Sequence, residues 1–205
     1  MLTVRTGWKQ AACAALGLLQ GCVWAAQVDA QVFDTEGKPV AGAVVFLDSA
    51  DAARRVKPLA SAEIVQQDKR FLPEVLVVPR GTSVQFPNRD TVRHHVYSFS
   101  PAKKFELKLY VGTPANPVVF DRAGVVVLGC NIHDHMVGWV LVVDTPHHAV
   151  TRPDGKVSLE GVPSGEYTLR AWHQRLPVGA EAQSQVLKVT DGMAPIHVVL
   201  KALRP

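Results

Sequence analysis

The stretch Leu128-Gly129-Cys130-Asn131-Ile132-His133-Asp134-His135-Met136-Val137-Gly138 sets a thiol, an imidazole and a thioether at Cys-x-x-His-x-x-Met between two apolar runs. A loop that leaves one strand and enters the next can turn these three side chains toward one point. Soft sulfur and borderline nitrogen donors favour copper, and two His plus one Cys with a weak axial Met make up the blue-copper electron-transfer set. The second imidazole has to arrive from another strand. Asn88-Arg89-Asp90-Thr91-Val92-Arg93-His94-His95-Val96 offers two candidates, His94 and His95. Neighbouring residues of a regular strand face opposite sides, so only one of them can turn toward the site. An inward Val96 selects His94, whereas inward Tyr97 and Phe99 would select His95. His135 reads as a surface imidazole, a proton-sensitive neighbour or a ligand that displaces Met136, with the surface reading preferred. Cys130, His133, His94 and His135 would also make a tetrahedral N₃S zinc set, which leaves Met136 unexplained.

The elements that must position these residues read as strands. Short apolar runs separated by Gly, Pro, Asn and Asp recur along the chain, without a long stretch of helical periodicity, and this is an all-β pattern. Gln27 to Asp34 and Ala41 to Leu47 flank Thr35-Glu36-Gly37-Lys38-Pro39 and are expected to form a hairpin. The charged residues 51 to 58, ending in Pro58, suit a linker. Strands are then expected at 62–67, 74–78, 82–86, 96–100, 105–110, 117–120, 124–128 and 138–143, with Pro79-Arg80-Gly81 as a turn. After Thr145-Pro146 come further strands at 157–159, 166–172, 182–190 and 195–203. Trp172 is expected in a core, and His147-His148 in a solvated turn.

Composition narrows the function classes. The chain has 205 residues, 47% hydrophobic and 20% charged, which is globular and is unlike a disordered or polytopic membrane protein. Residues 1–26 carry Arg5 and Lys9, an apolar stretch from Ala11 to Leu19, and small residues at Ala25 and Ala26, the shape of a secretory signal peptide. Without Arg5 and Lys9, 20 basic residues stand against 18 acidic ones, too balanced to point to nucleic acid. Leu18-Leu19-Gln20-Gly21-Cys22 resembles a bacterial lipobox, so the membrane enters only through lipidation of Cys22. Either route exports the chain, and a periplasmic location is expected. Ordinary cleavage leaves Cys130 as the only thiol, and its neighbours favour a metal ligand over a disulfide partner. No Ser-His-Asp spacing, phosphate loop or dinucleotide turn is present, so enzyme chemistry is not expected.

The order Gly81-x-x-Val84-x-Phe86-x-Asn88, then His, then Cys130-x-x-His133-x-x-Met136-x-Gly138 resembles the cupredoxins over residues 62–144, with the short ligand loop of amicyanin. The resemblance implies a Greek-key β-sandwich with one type 1 copper at one end. His94 would be the first imidazole ligand, Cys130 the thiolate, His133 the second, exposed imidazole through which electrons leave, and Met136 the axial thioether. Val96-Tyr97-Ser98-Phe99-Ser100 makes the pattern similar also to exported plastocyanin-like proteins labelled methylamine utilisation proteins, a label from which no methylamine chemistry follows. Two positions depart from the family. His95 stands where an Asn commonly ties the two ligand loops together, and Asp134 stands where the short loop commonly has Pro.

Residues 150–172 and the opening Val32 to Val45 resemble the carboxypeptidase regulatory-like module, an Ig/transthyretin-like β-sandwich. Its halves flank the cupredoxin-like part, so 27–50 and 146–205 are expected to form one small sandwich interrupted by a copper domain at 51–145. The expected function is single-electron transfer between redox proteins, the partner being unknown. Copper storage, delivery or sensing is the alternative, and a metal-free scaffold ranks third.

Overall fold

The computed structural model describes residues 25–204. The expected export signal and Cys22 lie outside the described residues, except for Ala25 and Ala26, which open the first strand. In chain order the elements are β1 (Ala25–Phe33), β2 (Val44–Asp48), α1 (Ala50–Arg55), β3 (Ala62–Glu63), β4 (Val65–Gln67), β5 (Arg70–Leu72), β6 (Val75–Pro79), β7 (Thr82–Gln85) and β8 (His94–Ser100). They continue with β9 (Lys103–Tyr110), β10 (Val118–Phe120), β11 (Gly124–Cys130), β12 (Val137–Val143), β13 (His148–Val150), β14 (Lys156–Pro163), β15 (Gly165–Trp172), β16 (Gln183–Val189) and β17 (Ile196–Val199). The all-β expectation holds, and the sheets pack as sandwiches.

Four sheets stack because their side chains alternate between faces. The order is β14-β1-β17 in the first sheet, β13-β2-β15-β16 in the second, β6-β12-β11-β8-β9 in the third and β10-β7-β3 in the fourth. Val28, Ala30 and Val32 of β1 meet Val45, Leu47 and Leu169 in the core between the first two. The opposite face of β2, Val44 and Phe46, packs with Trp172, Leu176, Leu141 and Val143, joining the second sheet to the third. The alternate residues of β12, Val140 and Val142, turn instead toward Val84, Val118 and Phe120 of the fourth sheet. β2 and β12 are therefore buried on both faces, and Trp172 is a core residue as expected.

Three local expectations are corrected. β1 and β2 do not form a hairpin: β1 pairs with β14 and β17, and β2 pairs with β13 and β15. The cause is the unbroken apolar run Val44 to Leu47, which needs a core on each side, so β2 becomes an inner strand. The expected linker at 51–58 begins as the helix α1, whose first turn is capped by Ser49, its Oγ accepting from the Ala52 amide at 3.1 Å. His148 lies in β13, paired with Phe46, and not in a solvated turn.

His173, 5% exposed, is locked in one neutral form by its neighbours. Its Nε2–H donates to the Ala41 carbonyl at 3.1 Å, and its Nδ1 accepts from the Arg175 amide at 3.1 Å. Burial holds its pKa below the ordinary histidine value, and Arg175 adds to this against the opposing Ala41 bond. The folded state thus binds this proton less readily than the unfolded chain, and stability falls as pH drops below the unfolded value of about 6.5. Thermal unfolding between pH 7.5 and 5 is expected to show Tm falling with acid, with a shallower slope in His173→Asn.

Candidate metal centre

One end of the third sheet carries the sequence-predicted residues. β8 begins with His94, β11 ends with Cys130, and the loop into β12 holds His133 and Met136. The pairing of Cys130 with Val96 brings the start of β8 alongside the end of β11. A β-bulge between His94 and Val96 adjusts the first residue of β8 at this end.

The faces decide between the two adjacent histidines. Val96 is fully buried while Phe99 is 78% exposed, so the inward set is His94, Val96 and Ser98. His94 is 0% exposed. Its Nδ1 lies 3.9 Å from Cys130 Sγ, and His133 Nδ1 lies 3.7 Å from the same sulfur. His95 turns to the other face, where its Nε2 is 3.0 Å from Glu106 Oε1 without hydrogen-bond alignment. Its ring meets Tyr97 edge-on at 5.8 Å.

His94, Cys130 and His133 bring one donor atom each within 4.8 Å of one another, the metal-capable cluster found among the described residues. An ion bonded to sulfur at about 2.3 Å and to nitrogen at about 2.0–2.1 Å holds such donors about 3.6–3.8 Å apart. The His133 distance of 3.7 Å falls in that range, and the His94 distance of 3.9 Å lies just above it. Met136 is 1% exposed in the same buried cluster as Cys130, and its amide donates to the His133 carbonyl at 2.9 Å. His135 does not join the cluster. It is exposed, its ring 6.1 Å from that of His133, so the N₃S zinc set is not assembled.

The polar shell behind His94 carries the most order. His94 Nε2–H donates to Asp90 Oδ2 at 2.7 Å, so in the neutral imidazole Nδ1 is the nitrogen with the free lone pair, and it faces Cys130. Asp90 Oδ1 accepts the Asp68 amide at 2.7 Å, and Oδ2 also accepts the Lys69 amide at 3.0 Å. Burial works to raise the Asp90 pKa, but the Lys69 amide, His94 and the Asp68 amide outweigh it and hold the carboxyl below its ordinary value. The His133 pKa is lowered, first by burial, then by His94, Lys69 and His135, against the opposing charge of Asp90. Asn88 braces the same loop: its Nδ2 donates to the Val92 and Tyr110 carbonyls, and its Oδ1 accepts the Asp90 amide. Tyr110 donates to the Phe86 carbonyl at 2.7 Å, and burial, opposed by the Gln66 hydrogen bond, pushes its pKa up to about 12.

Asp90 and Gln66 were not singled out from the sequence. For Asp90 a signal exists, a carboxylate four residues before the candidate imidazole His94, although that spacing means nothing until a turn brings the two together. Gln66 gives none: its Nε2 donates to the Phe86 carbonyl and to Tyr110 Oη deep under β7.

No protein-family model matches the chain, and no curated protein does. Among solved structures it is similar to a purple cupredoxin from Nitrosopumilus maritimus, at 26% identity over 40% of this chain and 99% of that one, with a TM-score of 0.36. It is similar also to a mutant of amicyanin in its reduced Cu(I) form, at 22% identity over 48% of this chain and 98% of that one, TM-score 0.37. A third is the copper-containing nitrite reductase of Thermus scotoductus SA-01, at 21% identity over 47% of this chain and 27% of that one, TM-score 0.38. Scores of this size add no weight, and the site stands on its own geometry.

The two faces of β8 yield a direct test. His94→Ala is expected to lower copper affinity at least tenfold in a chelator competition, whereas His95→Ala keeps it within about twofold.

Proposed function

We propose that this chain is an exported type 1 copper protein that carries single electrons between redox partners. The observation that carries the reading is the placement of His94 Nδ1, His133 Nδ1 and Cys130 Sγ as a compact N₂S set, with Met136 buried in the same cluster. Copper bound there would supply a one-electron Cu(II)/Cu(I) couple and an intense thiolate charge-transfer band.

The protein's own residues supply position and insulation. Cys130, 4% exposed, and His94 keep water from one side of the site, while His133 is only partly buried and faces the rim. Ligands held at the ends of β8 and β11 and on the short loop into β12 rearrange little between oxidation states, and a small rearrangement favours fast electron exchange. By the cupredoxin resemblance, His133 is the electron exit, beside the 47% exposed Ile132.

The domain organisation belongs to the same proposal. Strands from 25–48 and 148–199 build the first two sheets, whereas those from 62–143 build the rest. We read residues 51–145 as a copper domain inserted into the carboxypeptidase regulatory-like sandwich formed by 27–50 and 146–205. The location is the periplasm, the partner a redox protein, and any membrane attachment is through a lipid on Cys22.

Copper-loaded protein is expected to show an intense visible band and a narrow copper hyperfine splitting in electron spin resonance. Cys130→Ser is expected to abolish the band. Reversible voltammetry supports the carrier, whereas weak colour with rapid loss of copper to a chelator would favour storage or delivery instead.

A further inference from the structure

His95 faces Glu106 on the outer side of the third sheet, so the residue after His94 does not reach the 130–138 loop. Something else must hold the two ligand-bearing loops in register. The short hairpin of β4 and β5 touches both.

Its first contact is with the loop before His94. The Gln66 amide donates to the Pro87 carbonyl at 2.8 Å, and the Gln66 carbonyl accepts the Arg89 amide at 2.9 Å. The turn residues Asp68 and Lys69 have φ of 53° and 54°, the left-handed region that residues bearing a Cβ avoid. Asp tolerates this region, but Lys does not favour it, and local sequence alone gives little reason for a left-handed Lys69. The Asp90 carboxylate provides one, because the conformation aims both turn amides at it while its Oδ2 holds His94. Amides donating to an ionised acceptor make strong hydrogen bonds.

The second contact is with the loop after Cys130. Phe71 of β5 is 2% exposed and packs in the buried cluster that contains Cys130 and Met136. Gly138, two residues past Met136, accepts the ring at close range: a Cβ there would fall 2.9 Å from Phe71 Cβ and 3.1 Å from its Cδ2. Just beyond β5, the Glu74 carbonyl accepts the Trp139 amide at 2.8 Å.

We propose that the β4–β5 hairpin is the brace that ties the two ligand loops together, with Asp90 as the positioning residue for His94 and Phe71 as the wedge against Gly138. The inference rests on the copper reading. It assigns the hairpin two effects. It fixes His94 in the tautomer that presents Nδ1, and it places a negative charge behind the imidazole, which favours the more highly charged oxidation state.

The test uses the full chain loaded with Cu(II), with Asp90→Asn and Phe71→Leu as the variants and Val28→Ala as a core variant between the first two sheets, outside the cluster that holds Cys130 and Met136. Copper dissociation into excess chelator is expected to speed up 10–100-fold in Asp90→Asn and measurably in Phe71→Leu, with Val28→Ala unchanged. Loss of ten times more Cu(II) than Cu(I) affinity in Asp90→Asn raises the reduction potential by about 59 mV, a shift that a merely structural role would not give. Hydrogen exchange supplies a readout that needs no copper. The Asp68 and Lys69 amides of the metal-free wild type are expected to be protected, and in Asp90→Asn they exchange at least tenfold faster.

A dissociation rate within twofold of wild type in Asp90→Asn, with potential unmoved, overturns the brace. So do unprotected Asp68 and Lys69 amides in the wild type, an outcome that decides the matter even where Asp90→Asn fails to fold. A wild-type chain that takes up no copper contradicts the carrier reading, and amide exchange then still judges the brace.

Discussion

The hydrogen bond from His94 Nε2 to Asp90 commits the other ring nitrogen to Cys130. A buried imidazole has two nitrogens and one proton to place when neutral, and whichever nitrogen is protonated is lost as a metal ligand. Asp90 settles the choice. It can do so because its own charge is compensated: two turn amides and an imidazole converge on a carboxylate that would otherwise be costly to bury. Asn88 then fixes the loop that carries it, with two carbonyls and the Asp90 amide as partners.

That local order needs a rigid support, which the stacked sheets provide. Cys130 belongs to β11, an inner strand between β12 and β8, and its sheet is covered on one face by the fourth sheet and on the other, in part, by Phe46 and Trp172. The close packing extends to the residue before the thiol. A Cβ at Gly129 would stand 2.8 Å from Tyr97 Cζ, so the tyrosine ring lies directly over this backbone and restricts how the strand end moves. Sites built on strands and not on long loops are held more precisely.

Much of this was legible in residue order because it follows from period and spacing. Alternation along Val96 to Phe99 shows that only one of His94 and His95 can turn inward, a choice that the burial of Val96 then makes, and the three-residue steps from Cys130 to His133 to Met136 place those residues on one loop. Less was legible where tertiary context overrides the local signal. The run Val44 to Leu47 looks like one arm of a hairpin until both of its faces are seen to be buried. Residues 51–58 look like a linker because the helix that opens them is only six residues long and is held by a single cap. The left-handed Asp68-Lys69 turn carries no glycine signal, since its reason to form is a carboxylate 21 and 22 residues away in sequence. The charge behind His94 was hidden for the same cause.

X-ray absorption at the copper edge, on protein carrying one equivalent of copper in each oxidation state, examines the central claim most directly. Electron transfer at this site calls for one short copper–sulfur bond and two imidazole nitrogens in both states, with bond lengths that change little on reduction. An ion surrounded only by nitrogen and oxygen, or a ligand set that rearranges between the two states, would contradict it.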